Sequence, residues 1–171
     1  MTGPVNAEVP ESHAIHIIYV EAPSVHDVGA TLDAGAAARR GNHLVKRTLG
    51  EAMKVASDGD IIEVAPGVYT EGILLSKAVT LYAAAAGKVV VKSDGDPTVV
   101  STAHGARLRN ISFEHTGGDA SARGRAGPRC LEVVGGYLTC DGCSFTSKVG
   151  SAVMAAENGC TVLPRVLERV S

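Results

Sequence analysis

The sequence predicts an all-β protein built as a parallel β-solenoid, and three observations carry that expectation. Residues 48–75, TLGEAMKVASDGDIIEVAPGVYTEGILL, read as a short amphipathic helix running into a stair of short strands. Apolar positions recur at a step of 22 residues. The composition is rich in Ala and Val, with 20 Gly, no Trp and two Phe in 171 residues. Small and β-branched side chains suit narrow stacked coils, whose inward residues lie about 4.8 Å above their counterparts.

Leu49, Ala52, Met53 and Ala56 recur at helical spacing, and Ser57-Asp58-Gly59-Asp60 stops the helix, which the pattern places over 46–57. Ile61, Ile62 and Val64 then form a buried strand, Ala65-Pro66-Gly67 turns the chain, and Ile73–Leu75 extends again. The open end of a solenoid core would face water, so a helix at this place acts as a cap. Upstream, residues 1–14 lack periodicity and read as a flexible arm. Ile15–Val20 reads as the first strand, and 21–45 as an Ala/Gly-rich connection, a long loop or one holding a short helical piece. Downstream, short strands are expected at Val79–Tyr82, Val89–Lys92, Val99–Val100, Arg107–Leu108 and Ile111–Phe113. Residues 15–171 thus form a single domain of about five to six coils.

The step of 22 takes Val89 to Ile111 and Val91 to Phe113. It also takes Leu131 to Val153, Val133 to Ala155, Leu138 to Cys160, Cys140 to Val162 and Phe145 to Leu167. Apolar meets apolar at each pair. From Phe113 to Phe145 the step is 32, and the ten surplus residues lie in the polar run GGDASARGRAG, read as a loop extruded over 116–128. The final coil is irregular, since Asp141 maps to Leu163 and Cys143 to Arg165. The stretch Leu163–Ser171 shows no second cap, which predicts self-association through the C-terminal coil or a larger parent protein.

The ordered run Thr48-Leu49, Glu51-Ala52, Ala56, Asp58-Gly59-Asp60-Ile61, Val64-Ala65-Pro66-Gly67, Tyr69 and Glu71 resembles the opening of right-handed parallel β-helix proteins of the pectin-lyase-like superfamily. That superfamily includes the pectin methylesterases and the carbohydrate-binding-and-sugar-hydrolase repeat domains. The resemblance covers roughly residues 45–163 and implies a right-handed parallel β-helix. Enzymes and non-enzymes share this opening, so it implies no one activity.

Ala106–Gly118 resembles the esterase strand that precedes the catalytic groups. The family chemistry requires two aspartates, a glutamine of the oxyanion pocket and an orienting arginine. At the matching places this chain has Gly127-Pro128-Arg129-Cys130-Leu131 and Thr146-Ser147-Lys148-Val149-Gly150. Without a carboxylate there, neither nucleophilic attack nor proton transfer has a carrier. The chain is therefore expected to lack catalytic residues. Ser93-Asp94-Gly95-Asp96-Pro97 reads as an Asp-rich turn rather than a calcium loop. Cys140-x-x-Cys143 lacks a second pair at zinc spacing and a following helix, so these thiols, with Cys130 and Cys160, read as reduced core residues. No metal site or cofactor is expected.

Sixteen basic against eighteen acidic residues, and a pI near 6.3, argue against a nucleic-acid or anionic-membrane partner. No apolar run approaches the roughly 18–20 residues of a membrane span. The N-terminus has no export or mitochondrial pattern, which gives a cytoplasmic location as the expectation. Arg107, Arg109, Arg123, Arg125 and Arg129 are expected to gather around the extruded loop. Glu114 and His115, a solvent-facing pair at a strand end, complete this set of candidate contact residues. The segment Cys130–Leu163 is similar to the β-helix repeats of intracellular eukaryotic binding proteins such as the β-helix F-box proteins, which act by protein contact. The expected function is accordingly a non-catalytic interaction or scaffold module. The alternative is a carbohydrate-binding or polysaccharide-active domain, which a row of aromatics and carboxylates on one solvent face would favour. Tyr19, Tyr69, Tyr82 and Tyr137 are the aromatics that could build one, and the sequence shows no cluster of them.

Overall fold

The computed structural model describes residues 14–21, 44–94, 97–117 and 129–148, together with the strand backbone of 151–155 and 161–170. In chain order the elements are β1 (Ile17–Val20), β2 (Leu44–Lys46), α1 (Leu49–Val55), β3 (Ile61–Val64), β4 (Gly67–Thr70), β5 (Ile73–Leu75) and β6 (Thr80–Ala83). There follow β7 (Val89–Ser93), β8 (Val99–Ser101), β9 (His104–Arg109), β10 (Ile111–His115), β11 (Arg129–Val133), β12 (Tyr137–Ser147), β13 (Ser151–Ala155) and β14 (Thr161–Val170). The protein is mostly β, and every strand pairing among the described residues is parallel.

Two sheets form. A ten-stranded sheet has two arms that meet only in the long strand β12. Arm one runs β2-β1-β3-β6-β9 to the first half of β12, and arm two runs β4-β7-β10 to its second half. A four-stranded sheet runs β5-β8-β11-β13. The chain visits arm one, arm two and the four-stranded sheet in rotation from β3 to β13. Alternate residues of all three surfaces enter one buried cluster, including Ile62, Leu81 and Leu108 from arm one and Val91, Phe113 and Phe145 from arm two. Leu75, Val99 and Leu131 enter it from the four-stranded sheet. Phe113 and Phe145 stack with ring centroids 5.1 Å apart and planes 9° from parallel. Each buried side chain of this size is worth about 1.5–3 kcal/mol over exposure, so the interior column is the main source of stability.

The step of 22 holds where Val89 faces Ile111, Val91 faces Phe113, Leu131 faces Val153 and Val133 faces Ala155. The step of 32 also holds, Phe113 facing Phe145. In the last coil the expectation fails. Leu138 faces Val162, Cys140 faces Pro164 and Phe145 faces Glu168. Because Leu131 still faces Val153, the extra residues enter between Ala155 and Thr161. Cys160 lies outside the described residues.

The helix is shorter than 46–57. Thr48 caps it, its hydroxyl accepting from the Glu51 N–H at 3.1 Å, and Leu44–Lys46 is instead a strand on the far side of β1. Pro66 bends the chain, but Gly67 already opens β4, a strand the Pro-Gly signal conceals; Tyr69 from it is buried and donates to the Ala65 carbonyl at 2.7 Å. Helix α1 packs on β1, β2 and β5 and buries Leu49, Ala52 and Met53. Both of its poles are held from the segment that carries β5. Glu71 accepts from the Leu49 and Gly50 N–H groups, each at 2.9 Å, while Lys77 donates to the carbonyls of Met53 and Lys54 at 3.1 Å and to that of Ala56. A carboxylate at the N-terminus and an ammonium at the C-terminus satisfy orphan backbone groups and oppose the helix dipole. Asp60 ties the end of the helix segment to β1, accepting from His16 N–H at 2.9 Å and Ser57 N–H at 2.8 Å. Burial alone would raise its pKa, but these two bonds and the nearby His16 ring hold it below its ordinary value of 3.8.

One corner shows how arm one turns into arm two. Asn110, between β9 and β10, sits at φ 60°, a left-handed conformation that Asn tolerates. Its Nδ2 donates to the Ala83 carbonyl at 3.1 Å on the coil below. Gly142 stands on the coil above at φ 64°, where a Cβ would lie 2.5 Å from the Asn110 Oδ1.

Two predictions follow from the helix clamp. Replacing Glu71 by Ala leaves two N–H groups without their acceptor and is expected to cost about 1–3 kcal/mol in urea unfolding. For Asp60, the depressed pKa means that its contribution is fully present above pH 3.8 and is lost as pH falls from 3.8 through the lower folded value. The stability gap between the native chain and Asp60→Asn should therefore narrow as pH falls below 3.8.

Candidate functional site

Side chains alternate in and out along each strand, so the outward residues of arm one form a grid whose columns are set by register. With Ile18, Val20, Ile62, Val64, Leu81, Ala83, Ala106 and Leu108 buried, the residues between them face out. In one column Tyr19 faces Glu63, Glu63 faces Tyr82, Tyr82 faces Arg109 and Arg109 faces Asp141. The neighbouring column runs Ile17, Ile61, Thr80, Arg107 and Thr139. Tyr19, Glu63 and Tyr82 are half-buried, whereas Arg107, Arg109 and Asp141 are exposed. Arg109 Nε lies 3.6 Å from Asp141 Oδ2, both side chains 52% exposed; at that exposure the pair contributes at most about 1 kcal/mol.

The candidate residues are not brought together. Arg107 and Arg109 stand on the outward face of β9 in arm one. Glu114 faces outward from β10 in arm two, 2.8 Å from Lys92. Arg129 opens β11 in the four-stranded sheet and pairs with Glu132 at 2.7 Å. Arg123 and Arg125 lie outside the described residues. The solvent-facing Glu114–His115 pair needs correction, because neighbours on a strand point to opposite faces. His115 turns inward between Ser93 and Ser147 and is 2% exposed, with neither ring nitrogen hydrogen-bonded among the described residues. It offers nothing to an external ligand.

Tyr19 and Tyr82 were named only as aromatics without a visible cluster, and Glu63 and Asp141 were absent from the candidate contact residues. The signal that unites them is the register, whose steps along this column are 44, 19, 27 and 32 residues. No constant period lines them up. Elsewhere, a cavity of about 320 Å³ is lined by Arg47, Thr48, Val68, Tyr69, Thr70 and Glu71. The Glu71 carboxylate there is already engaged with the backbone of α1.

The cysteines Cys130, Cys140 and Cys143 are free thiols and buried. Burial pushes Cys130 up to about 11 and Cys140 up to about 12, and it raises Cys143 as well. Among the described residues no group of three or more His, Cys, Asp or Glu is assembled to hold a metal ion, and no helix is long and apolar enough to cross a membrane. No family model and no curated protein matches this chain.

Since the thiolate is the reactive species and burial disfavours it, Cys130, Cys140 and Cys143 should resist a maleimide at pH 7.5 in the folded protein. Peptide mapping by mass spectrometry is expected to find them labelled only after unfolding; prompt labelling of Cys140 or Cys143 in native buffer would contradict the inward placement of β12.

Proposed function

We propose that the chain is a right-handed parallel β-helix of the pectin-lyase-like kind, acting as a non-catalytic binding module for an extended glycan laid across arm one. The fold part of this reading is supported by the rotation of the chain through three parallel surfaces around one core, and by the strong preference of parallel crossovers for the right hand. The ligand part is carried by one observation, the outward column Tyr19, Glu63, Tyr82, Arg109 and Asp141.

Aromatic rings offer flat apolar platforms to the C–H faces of pyranose sugars, and carboxylates accept from sugar hydroxyls. Tyr19 and Tyr82 are two strand spacings apart, roughly 9–10 Å, comparable to the disaccharide repeat of an extended glycan. Glu63 stands between them. An aromatic and carboxylate row on one solvent face favours a sugar ligand over a protein one. The absence of catalysis is supported by Arg129, Cys130 and Leu131 standing where the esterases need a glutamine, and by Thr146 and Ser147 standing near the place of their first aspartate.

Self-association through the C-terminal coil is a second part of the proposal. Among the described residues β14 and β13 are the outermost strands at that end, and unpaired parallel edges invite a further strand. Light scattering over a range of concentrations should then show mass rising above the monomer's.

The glycan reading is tested by titrating the full chain with polygalacturonate, xylan and mixed-linkage β-glucan. At least one should bind, and Tyr82→Ala should weaken that binding about threefold to tenfold. Failure of all three to bind, or an unchanged affinity in Tyr82→Ala, would overturn it.

A further inference from the structure

A third aromatic side chain faces out from arm one but sits outside the tyrosine column. Tyr137 opens β12 and is 51% exposed. Its phenol end rests against Gly105, where a Cβ would come within 2.9 Å of the hydroxyl oxygen. Gly105 is at φ 104°, and the ladder slips there, Tyr137 facing His104 while Leu138 faces Ala106. A glycine at this bulge thus leaves the space that the ring occupies.

The position of Tyr137 relative to Tyr82 is fixed by register. Tyr82 faces Arg109 on the next strand, and Arg107 lies two residues before Arg109. Arg107 in turn faces Thr139 on the following strand, and Tyr137 lies two residues before Thr139. Tyr82, Arg107 and Tyr137 therefore lie on an oblique track across arm one, although the bulge sets Tyr137 opposite His104, three residues before Arg107, with its ring lying back over Gly105. The leg from Tyr82 to Arg107 is roughly 8 Å, from a strand spacing of about 4.8 Å and a rise of about 3.3 Å per residue. Arg107 is exposed and makes no ion pair among the described residues, unlike its neighbour Arg109, which is held by Asp141.

Resting on the glycan reading, we infer that the ligand crosses arm one obliquely, stacking on Tyr82 and Tyr137 and placing an anionic substituent, a carboxylate or a sulfate, on Arg107. Two rings flanking a guanidinium that has no ion pair among the described residues fit a sugar chain whose outer units stack and whose middle unit carries charge. A guanidinium binds either anion through paired N–H donors. In the straight column beside it, Arg109 already has Asp141 at 3.6 Å.

The full chain is titrated with polygalacturonate, dextran sulfate and neutral xylan, and read by quenching of tyrosine emission, which no Trp obscures. Arg107→Gln should weaken binding of the anionic polymer about tenfold and flatten its salt dependence, leaving any binding of xylan unchanged. Tyr137→Ala should weaken binding about threefold to tenfold, and Tyr137→Phe should restore it, since stacking needs the ring and not the hydroxyl. Preference for polygalacturonate or for dextran sulfate tells which anion the site takes. If Tyr82→Ala loses affinity while Arg107→Gln or Tyr137→Ala binds like the native chain, the oblique track is wrong and the glycan reading stands. If the native chain binds none of the polymers here or in the preceding test, both fall.

Discussion

Parallel stacking imposes one demand on every coil: an inward side chain must land on an inward side chain. A strand shifted by a single residue would turn its apolar set to solvent, so register shifts are confined to two local irregularities in the ladders of β12, at Tyr137–Leu138 and at Asp141–Ser144. Insertions are consequently driven to the connections. Between arm two and the four-stranded sheet the links are Glu71–Gly72, then 94–98, then 116–128, then 148–150. The interior columns nevertheless stay in step, Phe113 under Phe145 and Val99 under Leu131. Length varies where water can solvate the backbone and is held constant where it cannot.

This demand also explains what could be read from the sequence. The strands Ile61–Val64 and Ile73–Leu75, the step from Val89 to Ile111, and the ten-residue surplus before Phe145 are interior features, and apolar recurrence exposes them directly. Strand β4 escaped because Pro66-Gly67 signals a turn so strongly that the strand following at once is masked. The last coil escaped because a step of 22 sets apolar residues against apolar ones there, whereas the backbone pairs Phe145 with Glu168, a partner that apolar recurrence does not point to.

The outward face obeys no comparable rule, which is why its columns were harder to foresee. Solvent-facing positions carry no packing constraint, so Tyr19, Glu63 and Tyr82 leave no period in the sequence. Their neighbourhood is inherited from the interior: Ile18, Ile62 and Leu81 must stack, and the residues one place on are carried into line with them. Arg107 and Arg109 belonged to the candidates by charge alone, and their meaning changed once β9 placed them beside Tyr82. His115 was misjudged for the opposite reason, a polar residue on an inward position.

The two charges that grip α1 have a bearing on direction. Glu71 and Lys77 flank the same strand, one before β5 and one after it, so a helix lying on that strand has only one favourable orientation. Reversed end for end, it would set carbonyls against a carboxylate and amide hydrogens against an ammonium. Its apolar stripe of Leu49, Ala52 and Met53 could cover the core either way, since grease has no arrow. The polar grip supplies the arrow, and with it the side from which the chain must enter β3.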